Sequence, residues 1–145
     1  MSRAMGIDYG RARIGIAVSD ELRMLAHPLE TIPAGKDAFD RIVALAKEKQ
    51  VDSIVVGVPK TLRGETGAAA SEANDFIAKL RGRVSCPVVS WDERLTTVAA
   101  HRALQDAGKK TKETRGYVDQ VAAQMILQGF LDREQLRQEI SEAGE

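Results

Sequence analysis

The sequence predicts an α/β protein with one mixed sheet of five strands, antiparallel over the first three and parallel afterwards, flanked by helices. Three observations carry this reading. Ile14, Ile16 and Val18 alternate with Arg13, Gly15, Ala17 and Ser19, directly after a short apolar run closed by Gly10. Ser53-Ile-Val-Val-Gly-Val58 is an almost continuous β-branched run. Stretches of helical period then separate the later strands, as parallel neighbours require.

Met5-Gly-Ile-Asp-Tyr9 is the first strand and the alternating segment from Arg13 to Ser19 the second. The link Gly10-Arg11-Ala12 is short and glycine-led, so the two pair as an antiparallel hairpin. Leu29 to Pro33 adds a third strand, bracketed by Pro28 and Pro33 as a short edge strand is. After Gly35 the period changes, with Phe39, Ile42, Val43 and Ala46 at the i, i+3, i+4, i+7 positions of an amphipathic helix. The run ending at Pro59 reads as a central strand covered on both faces. Thr61 to Gly67 is a loop, and Ala73, Phe76, Ile77 and Leu80 then mark a second helix. Pro87 to Trp91 is the fifth strand. Thr96 or Thr97 can cap a helix through Ala100, Ala103, Leu104 and Ala107 that Gly108 stops. A last helix runs from about Tyr117 to Leu131, followed by a polar, fraying tail from Asp132 to Glu145.

The chain has 145 residues, 43% hydrophobic and 29% charged, which suits one domain spanning residues 1–145. It shows no repeat or internal boundary. No apolar run approaches the roughly 18 to 20 residues needed to span a bilayer, and Asp8 interrupts any signal-like core. A single cysteine, Cys86, forms no internal disulfide, so a reducing, cytoplasmic location is expected. The 21 Lys plus Arg residues balance 21 Asp plus Glu, which excludes bulk electrostatic coating of nucleic acid but not a local basic groove.

In open α/β sheets ligands sit beyond the carboxyl ends of the parallel strands. Three acidic residues qualify: Asp8, Glu93 and Asp119. Asp8 interrupts an apolar strand, where an ionised carboxylate is costly unless it meets a cation or several donors. Asp92 and Glu93 directly follow the fifth strand, and Asp119 opens the final helix, ahead of the small residues Ala122 and Ala123. Converging carboxylates repel, and a hard divalent cation, magnesium or manganese, relieves that repulsion through oxygen ligands. Two such ions roughly 3.5 to 4 Å apart can activate water and stabilise the leaving oxygen of a phosphodiester. The plain structural alternative is that Asp8 caps a turn, Asp92 and Glu93 pair with Arg94, and Asp119 is a first-turn residue favoured by the helix dipole.

Gly6-Ile-Asp-Tyr-Gly10, Arg13-Ile-Gly-Ile-Ala-Val-Ser-Asp20, Val56-Gly-Val-Pro59, Asp92-Glu-Arg-Leu-Thr-Thr97 and Asp119-Gln-Val-Ala-Ala-Gln-Met-Ile-Leu-Gln128 occur in this order. Together they resemble the YqgF family, also called RuvX, from about residue 4 to residue 131. The resemblance implies a single RNase H-like domain, kin to Holliday-junction resolvases, and a metal-dependent nuclease. Its activity is described either as processing the 5′ end of precursor 16S ribosomal RNA or as resolving DNA junctions. The family's acidic positions fall on Asp8, Glu93 and Asp119. By that carry-over Asp8 bridges or anchors the metals, Glu93 ligates one or orients water, and Asp119 completes the second site. The loop after Pro59 departs from the family's Asn or Asp before Gly, reading Lys60-Thr-Leu-Arg-Gly64, which leaves it a phosphate contact rather than a metal ligand.

Basic residues flank these elements: Arg11 and Arg13 beside the first motif, Lys60 and Arg63 after the central strand, Arg94 in the acidic motif, and Lys109, Lys110, Lys112 and Arg115 before Asp119. They are candidate contacts to nucleic-acid phosphates, which give register without sequence specificity. Their alternatives are a solvent-facing strand position for Arg13, a solvated loop for Lys109 to Arg115, and a pair with Asp92 or Glu93 for Arg94. His27 and His101 show no metal-ligand spacing, Cys86 reads as a small apolar filler, and Trp91 reads as core, with Tyr9 the better stacking candidate. Three functions compete: a divalent-metal nuclease on structured RNA or branched DNA, an actin-like nucleotide-binding domain for which one domain is too few, and a non-catalytic RNA-binding assembly factor. A resolvase needs two coordinated sites and hence a homodimer, whereas an RNA trimmer can act as a monomer.

Overall fold

The computed structural model describes residues 2–59, 67–95 and 112–144, with the backbone alone for 112–116. Five strands form one sheet: β1 (Arg3–Tyr9), β2 (Arg13–Ser19), β3 (Ala26–Pro33), β4 (Val51–Val58) and β5 (Val88–Asp92). Their order is β3-β2-β1-β4-β5. β1 pairs antiparallel with β2, and β2 with β3, while β1–β4 and β4–β5 are parallel. The mixed five-stranded sheet expected from the sequence is therefore observed. Helices α1 (Lys36–Glu48) and α2 (Ala68–Arg81) are the crossovers that parallel pairing demands, and α3 (Lys112–Ala143) ends the chain.

Strand alternation sorts the side chains into two cores. Ile7, Ile14, Ile16, Ile54 and Val56 face α1 and α2, where they meet Ile42, Leu45, Phe76 and Leu80. Tyr9 stacks on Phe76 at 4.6 Å between ring centroids, so this stacking candidate is engaged within the protein. The opposite face carries Ala4, Ala17, Val55 and Trp91, covered by Ala122, Ala123, Ile126, Leu127 and Leu131 of α3. Trp91 is core, as expected, and packs edge-on to Phe130. Cys86 lies half-buried against the first core, and burial pushes its thiol pKa up, as suits a filler rather than a nucleophile.

Several boundaries differ from the sequence expectation. β3 begins at Ala26 and includes Pro28, because a register shift at Ile16/Ala17 brings Ala17 opposite Pro28 on an edge strand, where a missing N–H is tolerated. The stripe of α1 centres on Ala38, Ile42 and Leu45, while Phe39, Val43 and Ala46 are only half-buried. α3 extends both ways beyond Tyr117 and Leu131. Its later turns consist mainly of good helix formers and are tethered by Glu134, which accepts from Arg23 at 3.0 Å. The helix proposed through Ala100 to Ala107 and the loop from Lys60 lie outside the described residues.

The turn between β2 and β3 is organised by Asp20, whose Oδ1 accepts from the backbone N–H groups of Met24 and Leu25 at 2.8 and 2.9 Å. Those bonds hold its carboxyl below the usual range. A folded pKa below the unfolded one stabilises above the unfolded value, and that contribution is lost as pH falls through the folded value. The stability gap between the protein and Asp20→Ala is therefore greatest above about pH 4 and shrinks on acidification, measured by urea melts across pH. A second expectation concerns Gly6, where an added Cβ would lie 2.6 Å from Leu127 Cβ and 2.7 Å from the Ala123 carbonyl oxygen. Gly6→Ala should cost about 1–3 kcal/mol in the same melts, as overpacking does.

Candidate active site

Asp8, Glu93 and Asp119 come from three elements on the α3 side of the sheet. Asp8 is the penultimate residue of β1 and is 6% exposed. Glu93 opens the 3₁₀ turn Glu93–Leu95 directly after β5 and is 3% exposed. Together with Ser19 they are the buried polar or charged residues among those described. Asp119 lies two turns inside α3, not at its start, because the helix begins at Lys112. The helix-dipole explanation for Asp119 therefore fails: that effect falls off within the first turn.

Glycines bring the three elements together. Asp8 pairs across the hairpin with Gly15, and a Cβ on Gly15 would collide with the Asp119 carbonyl oxygen and sit 3.0 Å from Asp119 Cβ. On the other side β4 runs parallel to β1, with Ile7 opposite Val56, so Gly57 is the next position along. A Cβ on Gly57 would lie 3.3 Å from Glu93 Cγ. One bare strand position thus seats the backbone carrying Asp119, and another admits the Glu93 side chain, with Asp8 on the strand between them. Sequence spacing gives no hint of this role for Gly15 and Gly57.

Asp119 Oδ2 accepts from Arg13 Nε at 2.8 Å, so Arg13 is not merely a solvent-facing residue. Arg94 takes Asp92 rather than Glu93: its Nε and Nη2 donate to the Asp92 carboxylate at 3.0 and 2.6 Å, which raises the Arg94 pKa. Arg11 pairs with Glu72 through Nε at 2.8 Å and holds that carboxyl below its usual range. The side chains of Lys60, Arg63, Lys109, Lys110, Lys112 and Arg115 lie outside the described residues. Lys112 and Arg115 do fall within α3, so the loop alternative does not extend to them.

Carboxylates such as Asp8, Glu93 and Asp119 are hard-oxygen donors of the kind magnesium or manganese takes. Among the described residues no three His, Cys, Asp or Glu side chains already stand as a metal-binding group. The chemistry of the donors fits a divalent ion, and one oxygen of Asp119 is engaged by Arg13. Other motif residues serve the frame. Gln128 Oε1 accepts from Ala26 N–H at 2.8 Å and Gln124 Nε2 donates to the Ala26 carbonyl at 2.9 Å, stitching α3 to β3. Buried Ser19 accepts from Ala4 N–H at 2.9 Å. Two glutamines spaced i, i+4 in an otherwise apolar stretch are the sequence signal for the first of these contacts.

Among solved structures, the fold is similar to Thermus thermophilus RuvC, including RuvC in complex with a Holliday junction substrate. For that complex the TM-score is 0.58 at 14% identity, covering 93% of this chain and 96% of that one. That likeness is one of fold, an RNase H-like fold. Residues 2–133 match the family model described as RuvX, Holliday junction resolvase, and the chain belongs to the RuvX family. It is 46% identical over 139 residues to a Halalkalibacterium halodurans protein named "Putative pre-16S rRNA nuclease", covering 93% of this chain and 99% of that protein. A Roseiflexus protein of the same name is 46% identical over 132 residues, covering 90% of this chain and 94% of that protein. By these names the family is one of nucleases, and the resemblance read from the sequence is borne out.

The glycine seats separate by severity. Gly15→Ala meets backbone of α3, so it should lower stability by about 1–3 kcal/mol or more. Gly57→Ala meets chiefly the flexible end of Ile126, which can turn aside, and should cost less. Parallel denaturant titrations of the two variants check the ranking.

Proposed function

We propose that this chain is a divalent-metal-dependent nuclease that hydrolyses phosphodiester bonds in structured RNA, processing the 5′ end of precursor 16S ribosomal RNA. The single observation that supports the reading is the pair of bare strand positions, Gly15 and Gly57, that seat the Asp119 backbone and the Glu93 side chain on either side of the strand carrying Asp8. Two of these acids are buried, and buried carboxylates recur at functional sites. The relatives' shared name supports the substrate.

Asp8, Glu93 and Asp119 would hold magnesium or manganese. Such an ion supplies Lewis acidity to the scissile phosphate and to the attacking water. Asp8, rigid within a central strand, sets the position of the site. Glu93 and Asp119 reach it from elements that begin or cross at the sheet's end. Arg13 steadies Asp119 and, being 41% exposed in its side chain, stands where a substrate phosphate can reach it. Arg11 and Arg94 pair with carboxylates at the surface, where water screens the attraction, so both can exchange to phosphate. Lys60, Arg63, Lys109, Lys110, Lys112 and Arg115 complete the proposed phosphate track. The neutral total charge makes its affinity modest and salt-sensitive.

The family description favours a second reading, resolution of branched DNA. Cleavage of a precursor ribosomal RNA fragment and of a four-way DNA junction, each with magnesium and manganese, separates the two. Asp8→Asn and Asp119→Asn should each lower cleavage at least roughly a hundredfold, since even outer partners of a metal site cost up to that, while circular dichroism stays native. Undiminished cleavage in both variants overturns the site, and cleavage of the junction alone overturns the RNA reading.

A further inference from the structure

A pocket of about 500 Å³ opens at the β5 edge, between the strand and the later turns of α3. Its walls include Trp91, Phe130 and Leu95 on the apolar side and Asn74, Arg133 and Arg137 on the polar side. It also touches Val58 and Asp92, the neighbours of Gly57 and Glu93, so it adjoins the candidate active site. Its volume falls within the roughly 300–1,000 Å³ of small-ligand sites, enough for a nucleotide and far too small for a duplex.

The charges on its wall are unevenly matched. Its two carboxylates are already engaged, Asp92 by Arg94 and Glu134 by Arg23. Its two arginines are not. Among the described side chains every other arginine donates to a carboxylate or, for Arg81, to the Val88 carbonyl oxygen. Among the described residues Arg133 has only the face of Trp91, 5.9 Å from guanidinium carbon to ring centroid, and Arg137 has no acceptor. The two are spaced i, i+4 on one face of α3. Asn74 and Ser90, on the same wall, have no side-chain hydrogen bond among the described residues, and the buried indole N–H of Trp91 finds no acceptor there. Arg137 lies beyond residue 133, the last that the family model matches.

We infer that this pocket takes one unpaired nucleotide of the substrate strand, its phosphate on Arg133 and Arg137 and its base on the apolar wall formed by Leu95, Phe130 and the edge of Trp91. The inference rests on the nuclease reading and deepens it: the strand beside the scissile bond enters single-stranded, as an RNA end does and a fully paired junction arm does not. Guanidinium forks suit phosphate oxygens, and an apolar wall accepts any base, so the pocket selects strandedness rather than sequence.

Trp91 is the only tryptophan in the chain, so its fluorescence reports the pocket directly. Single-stranded hexauridylate, titrated without divalent metal, should change that emission saturably in the protein and equally in Asp8→Asn. The double variant Arg133→Gln/Arg137→Gln should bind about tenfold more weakly or worse, the loss of at least one charge-assisted contact. Its salt dependence should flatten by about 0.7 in logarithmic slope per phosphate contact removed. Arg137→Gln alone, which removes no contact within the described protein, should show the same direction with a smaller loss. Equal affinity of the double variant, equal response to a blunt RNA duplex, or no saturable change overturns the inference. Absence of cleavage with intact oligonucleotide binding counts instead against the nuclease reading, so the two failures are distinguishable.

Discussion

The close seating of α3 on one face of the sheet is the constraint from which the site follows. Three strand positions on that face, Gly6, Gly15 and Gly57, carry no side chain, and α3 backbone or side-chain atoms stand where each Cβ would project. Ala122 and Ala123 supply the matching small surface on the helix. A helix held at ordinary distance by larger residues would carry Asp119 away from Asp8. The approach is locked by polar contacts at the other side, where Gln124 and Gln128 satisfy both backbone groups of Ala26. Packing, hydrogen bonding and site assembly are thus one arrangement.

Charge in this molecule is neutral in sum and organised in detail. Most described arginines are consumed by local ion pairs that pin turns and helix surfaces, such as Arg23 with Asp52 and Glu134, and Arg41 with Glu30. Against that background two arginines of α3 stand out, facing a pocket without an acidic partner among the described residues. Composition alone reads as a protein with no electrostatic preference.

The fold was legible because its signals are local. Period-two alternation at Ile14, Ile16 and Val18, the β-branched run to Val58 and the helical spacing of Ala73, Phe76, Ile77 and Leu80 each depend on neighbours a few residues apart, and each reappears in the structure. Where long-range contacts decide, the reading drifted. α3 outran its apolar stripe because later turns gain tethers from Arg23 and Trp91, and β3 lengthened because β2 could shift register at Ala17 to accept Pro28. The acidic trio was found from strand ends and motifs. The Arg13–Asp119 pairing was not settled, because a side chain's partner more than a hundred residues away leaves no periodic trace, and Arg94 had two adjacent carboxylates, Asp92 and Glu93, between which the sequence could not choose.

By itself, then, the sequence determined the α/β class, the strand order in the chain and the family, and it singled out three acids as candidates. All of these rest on patterns within short segments or on motifs in fixed order. Only the tertiary structure decided which glycines seat the elements bearing those acids, that Asp119 sits two turns inside its helix beside Arg13, and that Arg133 and Arg137 share a wall with Trp91. Those facts depend on how α3 lies across the sheet, and that placement comes from the packing of residues distant in the chain.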